Sequence, residues 1–77
     1  MILKIISAEK VLFEGEVEKV TLPGEVGAFT VLQNHASLIS TLVPGNIIYD
    51  EAGHIQEQPI SGGIVDVDKN IVSVCIY

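Results

Sequence analysis

Residues 65 to 76, with the sequence VDVDKNIVSVCI, alternate between apolar and polar side chains on both sides of a turn. Val65-Asp66-Val67-Asp68 alternates cleanly, Asp68-Lys69-Asn70 is typical of a turn, and Val72 to Ile76 alternates again. A period of two residues is the pattern of a β-strand with one buried face. This stretch therefore predicts two strands joined in a hairpin.

Short β-branched runs separated by turn residues fill the rest of the chain. The further predicted strands are Ile2 to Ile6, Val17 to Leu22, Phe29 to Leu32, Leu38 to Val43, Asn46 to Asp50 and Ile55 to Ile60. Pro59 should lie on an edge strand or at the end of a strand, because proline donates no ladder hydrogen bond. Ser7 to Lys10 is the only stretch of low β propensity, and it is too short for a helix. The pattern predicts an all-β domain spanning residues 1–77, a small sandwich or flattened barrel of about 8–10 short, mostly antiparallel strands.

The composition of the chain indicates which kinds of partner it can bind. The 77 residues hold four Lys+Arg against ten Asp+Glu, a net charge of −6, so no basic patch for nucleic acid or an anionic membrane is expected. Hydrophobic residues make up 48 %, which argues against disorder. That fraction is also more than a very small domain can bury, so it indicates a surface that contacts protein.

The acidic turn has the opening spacing of a calcium loop. Such a loop needs glycine at its sixth position and a bidentate glutamate at its twelfth. Counted from Asp66, those positions hold Ile71 and Tyr77. We therefore interpret the segment as a solvated strand end and a turn.

The residues that could bind a soft metal are scattered. His35, His54 and Cys75 are far apart in sequence, whereas zinc ligands usually occur in close pairs. We expect Cys75 to be a small buried thiol, His54 to lie exposed in a hairpin tip, and His35 to be a loop residue whose ring hydrogen-bonds the backbone. Ser, His and Asp occur in no recognisable catalytic order. No catalytic residue, metal site or cofactor is expected.

One alternative remains open at Lys69. Lipoyl and biotinyl carrier domains are small, β-rich and carry a lysine at the tip of an exposed hairpin, often after aspartate, and Asp68-Lys69 looks superficially similar. In those domains, however, the lysine lies mid-chain, and only eight residues follow Lys69 here. An ordinary turn lysine is the simpler interpretation.

A series of motifs across the chain resembles the epsilon subunit of the F-type ATP synthase. None is specific alone, but their order and spacing match that family over essentially the whole chain. The motifs are Ile6-Ser7-Ala8-Glu9, Leu12-Phe13-Glu14-Gly15, Val17-Glu18-Lys19-Val20, Leu22-Pro23-Gly24, Gly27 to Leu38, Leu42-Val43-Pro44-Gly45 and Ser61 to Val67.

The resemblance implies an amino-terminal β-sandwich and a role in the rotating central stalk. In that family the sandwich binds the gamma subunit and the ring of c subunits, and it couples proton flow to ATP synthesis without being catalytic. It implies a peripheral location on the cytoplasmic face of the bacterial inner membrane. A two-helix domain usually follows the sandwich and carries inhibition of ATP hydrolysis and any ATP binding. Those activities are not expected of the present residues.

The resemblance also assigns surfaces. The loop that faces the c ring maps onto Gly24, Glu25, Val26, Gly27, Ala28 and Phe29. Residues expected to face gamma are Ser7, His35, Leu38, Ser40 and Leu42, with the leucines on a flat sheet face. The chain departs from the family, which usually has an acidic residue at Ala28, glycine at Thr30 and proline at Gln33 and Ser37. Glu25 is the candidate to supply the missing loop charge.

Overall fold

Nine short strands joined by turns make up the fold. The computed structural model describes all residues from Met1 to Tyr77. The strands are β1 (Ile2–Ile6), β2 (Val11–Glu16), β3 (Lys19–Gly24), β4 (Gly27–Val31), β5 (Leu38–Leu42), β6 (Gly45–Glu51), β7 (His54–Ile60), β8 (Gly63–Asp68) and β9 (Ile71–Ile76). The predicted all-β class is confirmed, with a strand number inside the predicted range. The structure contains no helix with the length and apolar character needed to cross a membrane.

The strands form one curled sheet in the order β2-β1-β9-β8-β5-β3-β6-β7, with β4 added to β3. β1 and β9 are the one parallel pair, and the other pairings are antiparallel as predicted. β3 forms the corner of the sheet. Thr21 pairs with both Thr30 and Ile48, and Gly24 pairs with both Gly27 and Leu42. β4 therefore lies on one side of β3, while β5 and β6 share its other side.

A single apolar core lies inside the curl. Fifteen buried hydrophobic residues form one cluster, to which eight of the nine strands contribute. Val65 and Val67 on β8 and Val72 and Val74 on β9 are at most 1 % exposed. Each fully buried aliphatic side chain contributes about 1.5–3 kcal/mol relative to an exposed one. The alternating stretch that predicted the β8–β9 hairpin thus supplies a central part of the core.

Strand β2 is the one element that the sequence pattern did not predict. Its residues, VLFEGE, show no clean alternation, and none of them is fully buried. The strand exists because it pairs with β1 at the edge of the sheet, with a register irregularity between Ile5 and Ile6. Pairing with a buried neighbour, rather than an amphipathic pattern, determines β2.

Two further predictions have opposite outcomes. Pro59 lies on β7, which pairs only with β6 at the end of the sheet, so the edge-strand prediction is confirmed. The prediction of a buried Cys75 is wrong, because its side chain is exposed. The alternation of β9 turns Val72 and Val74 inward, and it must therefore turn Cys75 outward.

Candidate functional site

The loop predicted to face the c ring is the tip of the β3–β4 hairpin. Gly24 pairs with Gly27, so Glu25 and Val26 form the tip, and the Val26 side chain is completely exposed. A Cβ on Gly24 would lie 2.7 Å from the Gly27 carbonyl oxygen and 2.8 Å from the Phe29 ring. The backbone therefore turns where only glycine fits. The result is a narrow tip that presents one apolar side chain and one carboxylate.

The tip is tied to the neighbouring strand β5. Glu25 donates its backbone N–H to the Thr41 carbonyl oxygen at 3.2 Å, and Val43 donates to the Pro23 carbonyl oxygen at 2.9 Å. These two bonds flank the single β3–β5 register pair. The hairpin therefore has a fixed base, although its tip projects into solvent.

A network of polar side chains holds the loop that carries His35. Gln33 Oε1 accepts a hydrogen bond from the Met1 ammonium at 2.9 Å, and Gln33 Nε2 donates to the Val17 carbonyl oxygen at 3.1 Å. Asn34 has a positive φ of 60° and donates its N–H to Asn70 Oδ1 at 2.8 Å. The loop is thereby attached both to the amino terminus and to the β8–β9 turn.

His35 is exposed, and its Nδ1 lies 2.7 Å from the Ala36 carbonyl oxygen. The predicted hydrogen bond between the His35 ring and the backbone is therefore confirmed. In the same loop, Ser37 donates from Oγ to Asp68 Oδ1 at 2.7 Å.

A groove of about 520 Å³ brings the two predicted surfaces together. It is lined by Val26 to Thr30 from the hairpin and by His35, Leu38, Ile39 and Ser40 from the loop and β5. Phe29 and Leu38 are partly buried and pack against the core beneath it. Residues expected to face the ring and residues expected to face gamma thus line one continuous depression.

Ser7 lies outside this groove, at the β1–β2 turn. Its Oγ accepts hydrogen bonds from the backbone N–H groups of Glu9 and Lys10, each at 3.3 Å. Its own backbone N–H donates to the Lys10 carbonyl oxygen at 2.9 Å. The Ser7 hydroxyl is therefore already used in shaping its turn.

The expectation that Leu42 lies on the surface is wrong. Leu42 is only 3 % exposed and belongs to the core, whereas Ile39 on the same strand is 75 % exposed. Leu38, Ser40 and Leu42 share the inward side of β5, and Ile39 and Thr41 share the outward side. Because β5 carries large apolar residues on both sides, its sequence does not reveal which side is buried.

Ile39 is an exposed apolar residue that the sequence pattern did not single out. Together with Ser37, Asp66 and Asp68 it borders a second surface depression of about 510 Å³ on the outer side of β5 and β8. Asp66 and Asp68 are exposed, as the alternation of β8 predicts. The sequence alone could not place Ile39 beside Asp66 and Asp68, because that requires knowing that β8 is the neighbour of β5.

The other candidate residues do not form a site. No group of three or more His, Cys, Asp or Glu residues lies close enough to hold a metal ion. Lys69 occupies the tip of the β8–β9 hairpin, where Lys69 and Asn70 both have positive φ, at 50° and 63°. The prediction of a turn at this position is confirmed.

Tyr49 is the one group whose pKa departs clearly from its usual value. Burial raises the pKa of the Tyr49 hydroxyl above 10.0, and the nearby Glu51 carboxylate raises it further. The Tyr49 ring packs against Phe13, with the two ring centroids 4.5 Å apart. This contact joins β2 to β6 and lies in the interior rather than in the groove.

Comparison with known proteins identifies related chains. The family model described as "ATP synthase, Delta/Epsilon chain, beta-sandwich domain" matches residues 1–76. The ATP synthase epsilon chain of Leptospira borgpetersenii is 37 % identical over 70 residues, which are 91 % of this chain and 55 % of the relative. That of Xanthomonas oryzae is 38 % identical over 73 residues, 94 % of this chain and 52 % of the relative. The chain therefore spans about half the length of the curated relatives it matches.

Solved structures show the same fold. A chain in the mitochondrial ATP synthase of Euglena gracilis, solved with its c ring, superposes with a TM-score of 0.92 at 25 % identity, covering 99 % of this chain and 49 % of that one. A chain from the central stalk and c ring of Tetrahymena thermophila ATP synthase gives a TM-score of 0.80 at 16 % identity, covering 97 % and 61 %. These matches favour the ATP synthase family over the carrier-domain alternative at Lys69.

Proposed function

Because the chain belongs to the ATP synthase delta/epsilon β-sandwich family, we propose that it is a central-stalk rotor subunit of a proton-translocating F-type ATP synthase. It binds the gamma subunit and the ring of c subunits, and it couples ion flow through the ring to ATP synthesis. The observation that carries this proposal is the family match over residues 1–76, together with relatives that are named ATP synthase epsilon chains.

The relatives are chains of an enzyme complex, and this chain contributes contacts to that complex rather than chemistry. The character of the surface supports a binding role. The groove between the β3–β4 hairpin and β5 is shallow and lined by Val26, Phe29, Leu38 and Ile39 beside the small polar Thr30 and Ser40. An apolar centre bordered by small polar groups is typical of a protein interface.

The chain acts as a peripheral subunit of a membrane complex, on the cytoplasmic face of the bacterial inner membrane. The bacterial origin of the epsilon chains that it resembles supports this location. Its net charge of −6 fits attachment through protein partners, since an anionic membrane surface would repel the chain.

The end of the β3–β4 hairpin, from Gly24 to Phe29, faces the c ring in this proposal. Val26 supplies an exposed apolar contact, and Glu25 supplies a charge for a basic or polar loop of the ring. The gamma subunit contacts the other wall of the groove through His35, Leu38 and Ser40, and it contacts Ser7 separately at the β1–β2 turn. Leu42 supports this surface from the core.

The proposal is tested by assembly. The tagged chain, expressed with the other subunits of its own organism, is expected to co-purify with gamma and the c ring at near-stoichiometric amounts. Recovery of the folded chain without gamma, under conditions in which the rest of the complex stays intact, contradicts the proposal.

The contribution of the hairpin tip is tested separately by charge reversal. Glu25→Lys should lower proton-driven ATP synthesis by about two- to tenfold while the unfolding midpoint stays unchanged, because an exposed interfacial charge affects association rather than folding. Glu16→Lys, at an exposed carboxylate on β2, is the matched control and should leave synthesis unchanged. Equal rates for both variants and the unmodified chain contradict the assignment of Glu25 to the ring.

A further inference from the structure

Strand β5 has an open edge beside the groove. On one side β5 pairs with β8 along its whole length, from Leu38 to Leu42. On the other side it meets β3 at a single register pair, Gly24 with Leu42. Most of this second edge therefore has no strand beside it.

The direction of the backbone groups follows from the two bonds between β5 and β3. The Thr41 carbonyl oxygen accepts from Glu25, and the Val43 N–H donates to Pro23, so residues 41 and 43 direct their peptide groups toward β3. Alternate residues of a strand direct these groups to the same side. The N–H and C=O of Ile39 therefore point away from β8, toward the groove, where β3 no longer reaches them.

Ile39 has no partner for these groups within the chain. Opposite Asp66 it forms a non-hydrogen-bonded pair of the β5–β8 ladder, and it takes part in none of the hydrogen bonds formed outside the ladders. An open strand edge offers unpaired donors and acceptors that another extended segment can satisfy. Adding such a segment is an established means of peptide recognition.

Charge indicates the chemistry of the segment that fits. Asp66 and Asp68 are exposed on the outer side of β8, next to β5. The groove walls themselves carry no Asp, Glu, Lys or Arg side chain. A segment beside β5 therefore meets apolar walls and a flanking row of carboxylates, which suits apolar side chains alternating with Lys or Arg.

We propose that the gamma subunit adds an extended basic segment to the open edge of β5, with main-chain hydrogen bonds to Ile39 and with Lys or Arg side chains directed toward Asp66 and Asp68. This inference rests on the proposed function, since gamma is taken as the donor of the segment. It specifies how gamma binds, which the family match does not.

Amide hydrogen exchange of the intact chain, free and bound to gamma from the same organism, tests the inference. Ser40 is the internal control, because its N–H points into the β8 ladder opposite Val65. In the free chain the Ile39 amide should exchange rapidly and the Ser40 amide slowly. On binding gamma, exchange at Ile39 should slow by at least about tenfold, while exchange at Ser40 changes little.

Variants separate main-chain pairing from simple burial. Ile39→Pro removes the donor without breaking a ladder bond to β8, so it should weaken gamma binding at least about tenfold. Ile39→Val keeps the donor and should stay within about twofold. Asp66→Asn combined with Asp68→Asn should weaken binding about fivefold at low salt and reduce its salt dependence.

The outcomes distinguish the two proposals. If gamma does not bind the unmodified chain, the proposed function fails and this inference fails with it. If gamma binds but Ile39 stays unprotected, or if Ile39→Pro and Ile39→Val bind equally well, gamma binds in another way. In that case strand addition is contradicted while the proposed function stands.

Discussion

Ile39 on β5 lies directly opposite Asp66 on β8, and both side chains are exposed on the outer side of the sheet. An isoleucine that is 75 % exposed beside a carboxylate contributes little to folding. Ile39 also lines the groove that joins the two predicted partner surfaces, and the pair borders the second depression on the outer side of β5 and β8. We therefore expect this part of β5 to contribute more to association than to stability.

The two sides of β5 can be separated by truncating one side chain on each. Leu42→Ala should lower the free energy of unfolding by about 2–5 kcal/mol, because Leu42 is buried and its removal leaves a cavity. Ile39→Ala should change it by less than about 1 kcal/mol while weakening gamma binding. Urea unfolding and a binding titration measure the two effects. Equal destabilisation by both variants contradicts the assignment of the two sides.

The Gln33 side chain joins the His35 loop to the amino terminus. Gln33→Ala removes the hydrogen bonds to the Met1 ammonium and to the Val17 carbonyl oxygen, so we expect a loss of about 1–2 kcal/mol in urea unfolding. Gln33→Glu keeps an acceptor for the ammonium but loses the amide donor, and it should be intermediate. If Gln33→Ala is as stable as the unmodified chain, the network does not hold the loop.

The sequence predicts a strand well where one face of that strand is buried. It predicts a strand poorly where only pairing with a neighbouring strand determines the conformation. The side chains of β8 and β9 alternate between apolar and polar because one face of each strand lies in the core. The structure confirms both strands. β2 has no such pattern and is a strand only because β1 lies beside it. Leu38-Ile39 offers apolar residues to both sides of β5, so the buried side cannot be read from the sequence. The groove depends on β5 diverging from β3, which is a tertiary feature.

Gly63 and Gly53 allow a test of the backbone geometry. A Cβ on Gly63 would overlap the Cys75 carbonyl oxygen and lie 3.1 Å from the Ile76 Cα, and backbone atoms cannot swing away. Gly63→Ala should therefore destabilise the fold by about 3 kcal/mol or more. Gly53 has a φ of +85° but open space around it, so Gly53→Ala should cost only about 1–2 kcal/mol. The reverse order in thermal or urea unfolding contradicts the close packing of β8 on β9.

Alkaline pH should weaken the fold through Tyr49. Its pKa in the folded state lies above the usual 10.0, chiefly because of burial, so folding opposes deprotonation. The contribution of Tyr49 to stability is therefore complete below about pH 10 and is lost as the pH rises through the folded-state pKa. In that range the free energy of unfolding falls by at most about 1.4 kcal/mol per pH unit. Tyr49→Phe should reduce this loss above about pH 10 in urea unfolding.

Tyr77, which is 81 % exposed, provides the control. Tyr77→Phe should keep the alkaline loss of the unmodified chain. An unchanged pH dependence in Tyr49→Phe means that another group is responsible.

Association with gamma is the most direct test of whether the chain is a central-stalk subunit. Sedimentation velocity of the purified chain mixed with the gamma subunit of the same organism, at concentrations from about 0.1 to 10 μM, reports both stoichiometry and affinity. We expect a one-to-one complex with a Kd below about 1 μM, as is usual for an interface of standard size. Two species that sediment independently at 10 μM, with both proteins folded, contradict it.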